Sequence, residues 1–458
     1  MRAFLTLVLA ATALAQPAPK VLTSHTTESL RGVSAVSQKI AWASGTHGTY
    51  LRTIDAGRTW QSAQVPGAST LDFRAVVAFS ADEAFLMSAG PGDQSRIYHT
   101  SDAGQHWSLQ FTATNPKSFF DSMVFWDPTH GIVLGDPIPD ESGKLKFELL
   151  LTDDGRNWHA LPPAQLPPAE EGEGAFAASN SCLAILPSTT TAPTRAKLRE
   201  HPSSNSVILS EDTRSAERSA CRSRKPALSL SKGTPCVSSS PGASQGILTT
   251  DSQVRDVSFA EGIPNEVRDL GFVGAIDPAR SPALSPEKSE TPIPAPDPNI
   301  WFATGGRAAR VFHSTDRGQT WQVTDTPILH GPDSAGIFSI AFRDPTHGVI
   351  AGGDYKHPDR DGPNLAFTAD GGKTWTLSPL RPLAYFSAVA YDRRPMRGDN
   401  KERLFIVGQD FIFDFRPPQD PTRISPHKKS GIKFNAVSSY PEGGALIVGP
   451  DGSIVKLP

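Results

Sequence analysis

Three groups of polar residues stand where chemistry could be done, each directly after or just before an apolar stretch ending in small residues. They are Asp136 with Asp140 and Glu141, Glu171 with Glu173, and Asp354-Tyr355-Lys356-His357. Two carboxylates on a rigid frame can act as general acid and as base or nucleophile in glycoside hydrolysis, their separation selecting retention or inversion. The same side chains also read as solvated loop charges. Asp136, Glu173, Asp354 and Tyr355 are therefore assigned as candidate binding residues facing out of the loops, and no residue is assigned as catalytic.

Other chemistries find less support. His130 and His347 occupy equivalent places in two Asp-Pro-Thr-His-Gly turns, Asp127 to Gly131 and Asp344 to Gly348, so turn geometry accounts for them better than metal ligation does. Gly305-Gly306 and Gly352-Gly353 follow strand-like runs but open no helix, and so fail the context of a dinucleotide fingerprint. No metal and no cofactor is assigned. The net charge of -3 argues for neither nucleic-acid nor membrane steering. Three cysteines, Cys182, Cys221 and Cys236, are too few for a disulfide framework, although Cys221 and Cys236 could pair in an oxidising compartment.

The elements that must position these residues are announced by a pattern that occurs five times. Its copies are Thr53-Ile-Asp55-Ala-Gly57-Arg-Thr59-Trp60, Thr100-Ser-Asp102-Ala-Gly104-Gln-His106-Trp107, Leu151-Thr-Asp153-Asp-Gly155-Arg-Asn157-Trp158, Ser314-Thr-Asp316-Arg-Gly318-Gln-Thr320-Trp321 and Thr368-Ala-Asp370-Gly-Gly372-Lys-Thr374-Trp375. Hydroxyl and carboxylate oxygens can bond the backbone of a tight turn, Gly supplies a positive φ, and Trp packs beside the hairpin. The third copy puts Leu151 where the others have Ser or Thr, which predicts a less well bonded turn.

This pattern resembles the Asp-box, or BNR repeat, of sialidases, sortilin-like receptors and the photosystem II stability/assembly factor family. The resemblance implies an all-β fold, a β-propeller, in which Asp55, Gly57, Trp60, Asp102, Gly104, Trp107, Asp153, Gly155, Trp158, Asp316, Gly318, Trp321, Asp370, Gly372 and Trp375 are structural. Seven second strands ending in small residues, from Ile40–Gly45 to Ala445–Gly449, predict seven blades, and the small residues suit the crowded inner part of the ring. The last two blades lack a full copy of the pattern.

Trp158 and Trp321 are too far apart for one blade of ~40–50 residues. The excess predicts a disordered insertion over 187–298, rich in Ser, Pro, Arg and Lys, inside blade four. The chain thus divides into a signal peptide (1–15), blades 1–3 with the start of blade 4 (16–186), the insertion (187–298), and the rest of blade 4 with blades 5–7 (299–458). Within 16–186, the run Gly174 to Ile185 reads as the first strand of blade 4. Met1-Arg2, the apolar run from Ala3 to Leu14 and Ala13-Leu14-Ala15-Gln16 form the charged, apolar and cleavage regions of a secretory peptide. Export to a periplasm or medium follows, with no later membrane span. Val21-Leu22-Thr23-Ser24 is expected to add an outer strand to the last blade and so close the ring.

Sialidases also carry an Arg-Ile-Pro motif, three arginines for the substrate carboxylate and a Tyr/Glu nucleophile pair. No Arg-Ile-Pro occurs here, and although Arg74, Arg307, Arg310 and Arg381 with Tyr355 or Tyr385 offer the group types, nothing in the sequence fixes their geometry. The photosystem II stability/assembly factor family is similar in being an exported seven-bladed propeller that acts by binding other proteins. The resemblance implies a non-catalytic protein-binding or assembly scaffold whose partner is another envelope or secreted protein, or a glycan. A glycoside hydrolase, sialidase-like or other, is the alternative.

Overall fold

A computed structural model of the chain describes residues 19–186, 297–379, 384–394, 403–409, 411–415, 422–424 and 433–458. The signal peptide 1–15, the Cys221/Cys236 pair, Arg381 and all of the 187–298 insertion except Asp297 and Pro298 lie outside the described residues.

The fold is a seven-bladed β-propeller. Four blades are antiparallel four-stranded sheets laid down in chain order: blade 1 (Leu30–Ala35, Ala41–Gly45, Thr49–Thr53, Gln61–Gln64), blade 2 (Asp72–Ala78, Ala84–Ala89, Arg96–Thr100, Ser108–Thr112), blade 3 (Phe120–Phe125, Gly131–Pro139, Leu145–Thr152, His159–Ala160) and blade 6 (Phe386–Tyr391, Leu404–Gly408, Ile412–Phe415, Thr422–Ile424). Blade 4 joins Leu183–Ile185 to Ile300–Ala303, Arg310–Ser314 and Gln322–Asp325. Blade 5 (Ala335–Phe342, Gly348–Asp354, Leu365–Thr368, Thr376–Leu377) gains two short strands, Gly305–Gly306 and Glu173–Gly174, on its inner edge.

Blade 7 has only three strands of its own, Ala436–Ser439, Ala445–Val448 and Ile454–Leu457, and Lys20–Leu22 supplies the fourth by pairing with Ile454–Lys456. The N-terminal stretch thus closes the ring as expected, and Leu22 packs in the same cluster as Trp60 and Ile454. Closure gives blade 7 the same four strands as its neighbours and ties Lys20–Leu22 to Ile454–Leu457 within one sheet.

The first strand of each blade meets the first strands of its neighbours, so these strands, rather than the second strands, line the axis. The second strands lie one position further out, where blades press together on both faces; Ala41–Gly45, Ala84–Ala89, Gly348–Asp354 and Leu404–Gly408 are buried throughout. Their small residues are needed there because two sheets approach each strand.

Each of the five tryptophans fills the seam between its own blade and the one before. Trp107 meets Trp42 (6.3 Å between centroids) and Tyr50 (5.1 Å) of blade 1, Trp158 donates through Nε1 to Gln110 of blade 2 (3.0 Å) in one cluster with Phe85 and Met87, and Trp321 and Trp375 sit in the clusters of the 3/4 and 4/5 seams. The turns before them are bonded alike in four copies. In the first, Gly57 N–H donates to Thr53 Oγ1 (3.1 Å), Thr53 Oγ1 donates to Asp55 Oδ1 (3.0 Å), and Asp55 accepts from Thr59 through both N–H (2.9 Å) and Oγ1 (2.7 Å). Thr100/Asp102, Ser314/Asp316 and Thr368/Asp370 repeat the scheme.

The third copy corrects the sequence reading of Asp153. Here Thr152 Oγ1 receives Gly155 N–H (3.0 Å) and Asp154 takes the amides of Arg156 and Asn157, so Thr152 and Asp154, not Leu151 and Asp153, do the bonding. The turn is one residue shorter. The other copies place two successive residues at positive φ, as with Ala56 and Gly57, whereas only Gly155 does so here. The turn is therefore fully bonded in a different register.

Candidate binding surface at the channel mouth

The strands lining the axis run the same way in every blade, so their first residues gather at one end of the channel. In five of them the register against the second strand slips within the first few pairs, skipping Arg31, Arg74, Asp121, Phe338 and Ser387. A β-bulge of this kind re-aims one side chain and increases the local twist. The sequence signal was present but unread: Leu30-Arg31-Gly32-Val33, Phe73-Arg74-Ala75-Val76, Phe120-Asp121-Ser122-Met123, Ile337-Phe338-Ser339-Ile340 and Phe386-Ser387-Ala388-Val389 share a large, variable, small, apolar order.

On one side of the mouth Asp72 lies between two guanidinium groups, with Arg74 Nε at 2.9 Å and Arg31 Nε at 3.6 Å. Burial lowers the pKa of Arg31, with the charge of Asp72 opposing. Across from them Phe338 stands edge-on to Tyr385 (4.9 Å) and Tyr355 (6.1 Å). Burial pushes the Tyr385 hydroxyl up, with Tyr355 reinforcing and the charge of Arg31 opposing. Tyr355 is 47 % exposed, the largest open aromatic of this end.

The remaining side is covered by the connection from blade 3 to blade 4. The sequence reading of Gly174 to Ile185 as one strand is corrected here, because only Leu183–Ile185 pairs in blade 4. Asn180 takes φ 57 and bonds the main chain of Met123 through its side chain, which turns the preceding residues out of the sheet. Residues 173–178 then cross the mouth. Ala175 N–H donates to Asp136 Oδ1 (3.0 Å), Arg74 Nη1 donates to Ala177 O (3.1 Å), and Phe176 stacks on Phe338 at 4.0 Å and 10°.

Beneath this segment lie three carboxylates. Asp121 is wholly buried without a well-formed hydrogen bond, and burial drives its pKa well above the usual carboxylate range, reinforced by Asp136 and opposed by Arg74. Burial pushes Asp136 up to about 6, with the Ala175 amide opposing, and raises Glu148 as well. The nearby Cys182 thiol is buried, unpaired and raised for the same reason.

The four candidates from the sequence therefore have different fates. Tyr355 faces the mouth. Asp136 lies at the mouth but is roofed by Ala175. Glu173 is corrected: its carboxylate is fully buried, accepts from Thr304 Oγ1 (2.6 Å), Arg310 Nε (2.9 Å) and Glu170 N–H (2.9 Å), and pairs with Arg310 Nη2. Asp354 is corrected likewise: nearly buried, it accepts from Lys356 N–H (3.0 Å) and contacts His357 Nδ1 (2.8 Å), organising its own loop. Burial opposes but these bonds lower its pKa. His130 and His347 sit in their turns against Asp127 and Asp344. Among the described residues no group of three or more His, Cys, Asp or Glu could hold a metal ion, and no helix is long and apolar enough to cross a membrane.

Comparison with known proteins agrees with this architecture. Residues 15–114, which contain blades 1 and 2, match the sequence profile of the family described as photosynthesis system II assembly factor YCF48. The chain thus resembles the BNR-repeat propellers of that family. No curated protein matches it. Among solved structures, YCF48 bound to D1 peptide is similar with a TM-score of 0.53 at 15% identity, over 98% of this chain and 99% of that one. YCF48 from Cyanidioschyzon merolae (TM-score 0.36, 15% identity, 96% and 99% covered) and the WD40 β-propeller domain of Doa1 (0.47, 8%, 96% and 97%) are more distant. The first of these likenesses supports the fold.

Proposed function

We propose that this propeller is a non-catalytic scaffold that binds another polypeptide at the channel mouth described above. The observation that carries the reading is the use of side chains there. Glu173 and Asp354 are consumed by internal bonds, and Asp136, whose raised pKa would suit a general acid, is covered by main chain. What remains accessible is Tyr355 with the half-buried Arg31 and Tyr385, beside Arg74 that already holds Asp72 and Ala177 O, a cationic and aromatic set of the kind enriched where proteins bind one another. The D1 peptide bound to the similar YCF48 structure makes a peptide segment the class of partner we assign. We read the five repeated turns as Asp-box scaffolding with no part in binding. We further infer, from the Met1–Gln16 signal, that the protein is exported and meets its partner in a periplasm or outside the cell.

A photo-cross-linking amino acid at position 355, in the mature protein exposed to native envelope extract, should trap a polypeptide. The same group at Leu109, exposed on the outer strand of blade 2, should not. Arg31→Glu should reduce trapping at 355. Equal labelling from both positions, or turnover of a glycan substrate by the mature protein, would overturn the reading.

A further inference from the structure

The segment that crosses the mouth shows what kind of ligand the surface beneath it holds. Phe176 lies flat on Phe338 at 4.0 Å, in a slot whose wall is made by Gly305 and Gly336; a side chain at either glycine would run into the Phe176 ring. The slot is thus shaped for an aromatic ring. Main-chain groups two residues apart are held on either side of it: Ala175 N–H by the Asp136 carboxylate and Ala177 C=O by the Arg74 guanidinium. Neither bond belongs to a sheet ladder, and both are made by side chains of other blades to backbone atoms that every residue type except proline possesses. The central ring is specified by the slot, and Ala175 and Ala177 on either side of it are themselves buried, which suits small residues there. The covering segment is also entered through glycines, with Gly172 at φ +74 and Gly174 just before Ala175.

We propose that Phe338, Gly305, Gly336, Asp136 and Arg74 form a recognition subsite for a small-aromatic-small peptide that turns directly after its ring, occupied in the free protein by Ala175-Phe176-Ala177, where Ala178 N–H donates to Phe176 O (2.8 Å). A partner segment carrying Phe or Tyr between small residues exchanges with Phe176, and Arg31, Tyr355 and Tyr385 flank the exchanged chain. The proposal rests on the reading of the mouth as a polypeptide-binding surface and names the chemistry it selects.

The test supplies the native segment in trans. A capped peptide Gly-Ala-Phe-Ala-Ala-Ser, the sequence of residues 174–179, is titrated by calorimetry into mature wild-type protein and the Phe176→Gly variant. The variant, with its slot empty, should bind at least about tenfold more tightly than wild type, and replacing the peptide's Phe by Ala should lose about the same factor, the scale of a stacked aromatic pair with its buried area. Phe176→Gly combined with Phe338→Ala should not respond to the peptide's Phe. Because an empty slot can weaken the inner edge of blade 5, Phe176→Leu is measured in parallel and should fall between wild type and Phe176→Gly. Equal affinity for wild type and a folded Phe176 variant, or equal affinity for the Phe and Ala peptides, would overturn the subsite. Cross-linking at position 355 does not use Phe176 as a reporter, so a trapped partner with no peptide effect leaves the scaffold reading standing and the subsite refuted. The reverse pattern leaves the subsite standing and overturns only the reading that its partner is a polypeptide of the envelope.

Discussion

The outer turns and the channel mouth are both built from repeated positions, yet they use repetition in opposite ways. At the turns, Thr53/Asp55, Thr100/Asp102, Ser314/Asp316 and Thr368/Asp370 make the same bonds in four blades. At the mouth, the bulge that recurs in five blades presents Arg31, Arg74, Asp121, Phe338 and Ser387, no two neighbours past the first pair being alike. A position that must close a turn in every blade is held to one chemistry. A bulged position is free to differ, and of the five only Arg31 and Arg74 stay half-buried at the mouth while Asp121, Phe338 and Ser387 are buried.

The largest effects should come from the packed side of this comparison. Trp60, 4 % exposed, fills the seam where blade 1 meets the closing blade. Trp60→Ala should cost about 3–5 kcal/mol of unfolding free energy in urea titration, the range for a buried aromatic reduced to a methyl group. A loss below about 1 kcal/mol would mean that the seam does not depend on its tryptophan.

Glu173 tests whether a mouth residue can belong to the scaffold. Arg310→Ala leaves its buried carboxylate without a cation, and breaking such a pair costs about 3–5 kcal/mol, since the charge cannot regain water. Tyr355→Ala, at an exposed site, should change stability by less than about 0.5 kcal/mol while removing binding. If both substitutions behaved alike in urea titration, the division between scaffold and surface at this end would fail.

The third turn gives a smaller and sharper contrast. Asp154→Ala should lower the melting temperature by about 2–4 °C, because the carboxylate that takes the Arg156 and Asn157 amides is lost. Asp153→Ala should leave it nearly unchanged. The opposite order, read by calorimetry, would restore the register inferred from the sequence.

How much of this was legible follows from the same contrast. Turns declare themselves because Gly57 or Gly104 at positive φ and a Thr–Asp pair are local requirements, satisfied within eight residues. The closing strand was legible too, since blade 7 is one strand short and Val21-Leu22 lies near the start. The fates of Glu173 and Asp354 were not. Glu173 meets Arg310 across 137 residues of sequence, and no periodicity records such a meeting. The bulge residues fell between, visible only when inner strands are compared with one another. The third turn misled because Leu151-Thr152-Asp153-Asp154 offers two registers, and the choice depends on turn length.

Acid titration should separate the two regions by sign. Asp55, Asp102 and Asp370 titrate at about 2: backbone donation from Thr59 leads for the first and from His106 for the second, while the Thr374 hydroxyl leads for the third. A carboxylate depressed by folding contributes stability above its unfolded pKa near 4, and that contribution is lost as pH falls toward 2. Asp136 is the reverse case. Its folded value of about 6 lies above the unfolded one, so between pH 6 and 4 the folded state binds more protons than the unfolded chain, and stability rises as pH falls. Asp121, raised by burial beside it, acts in the same sense. The melting temperature should therefore climb on acidification to about pH 4 and fall below it. Asp136→Asn, which keeps the shape and an acceptor for Ala175 N–H, should flatten the climb and leave the fall intact. A climb unchanged in that variant would show that the covered carboxylate does not govern the mouth's response to pH.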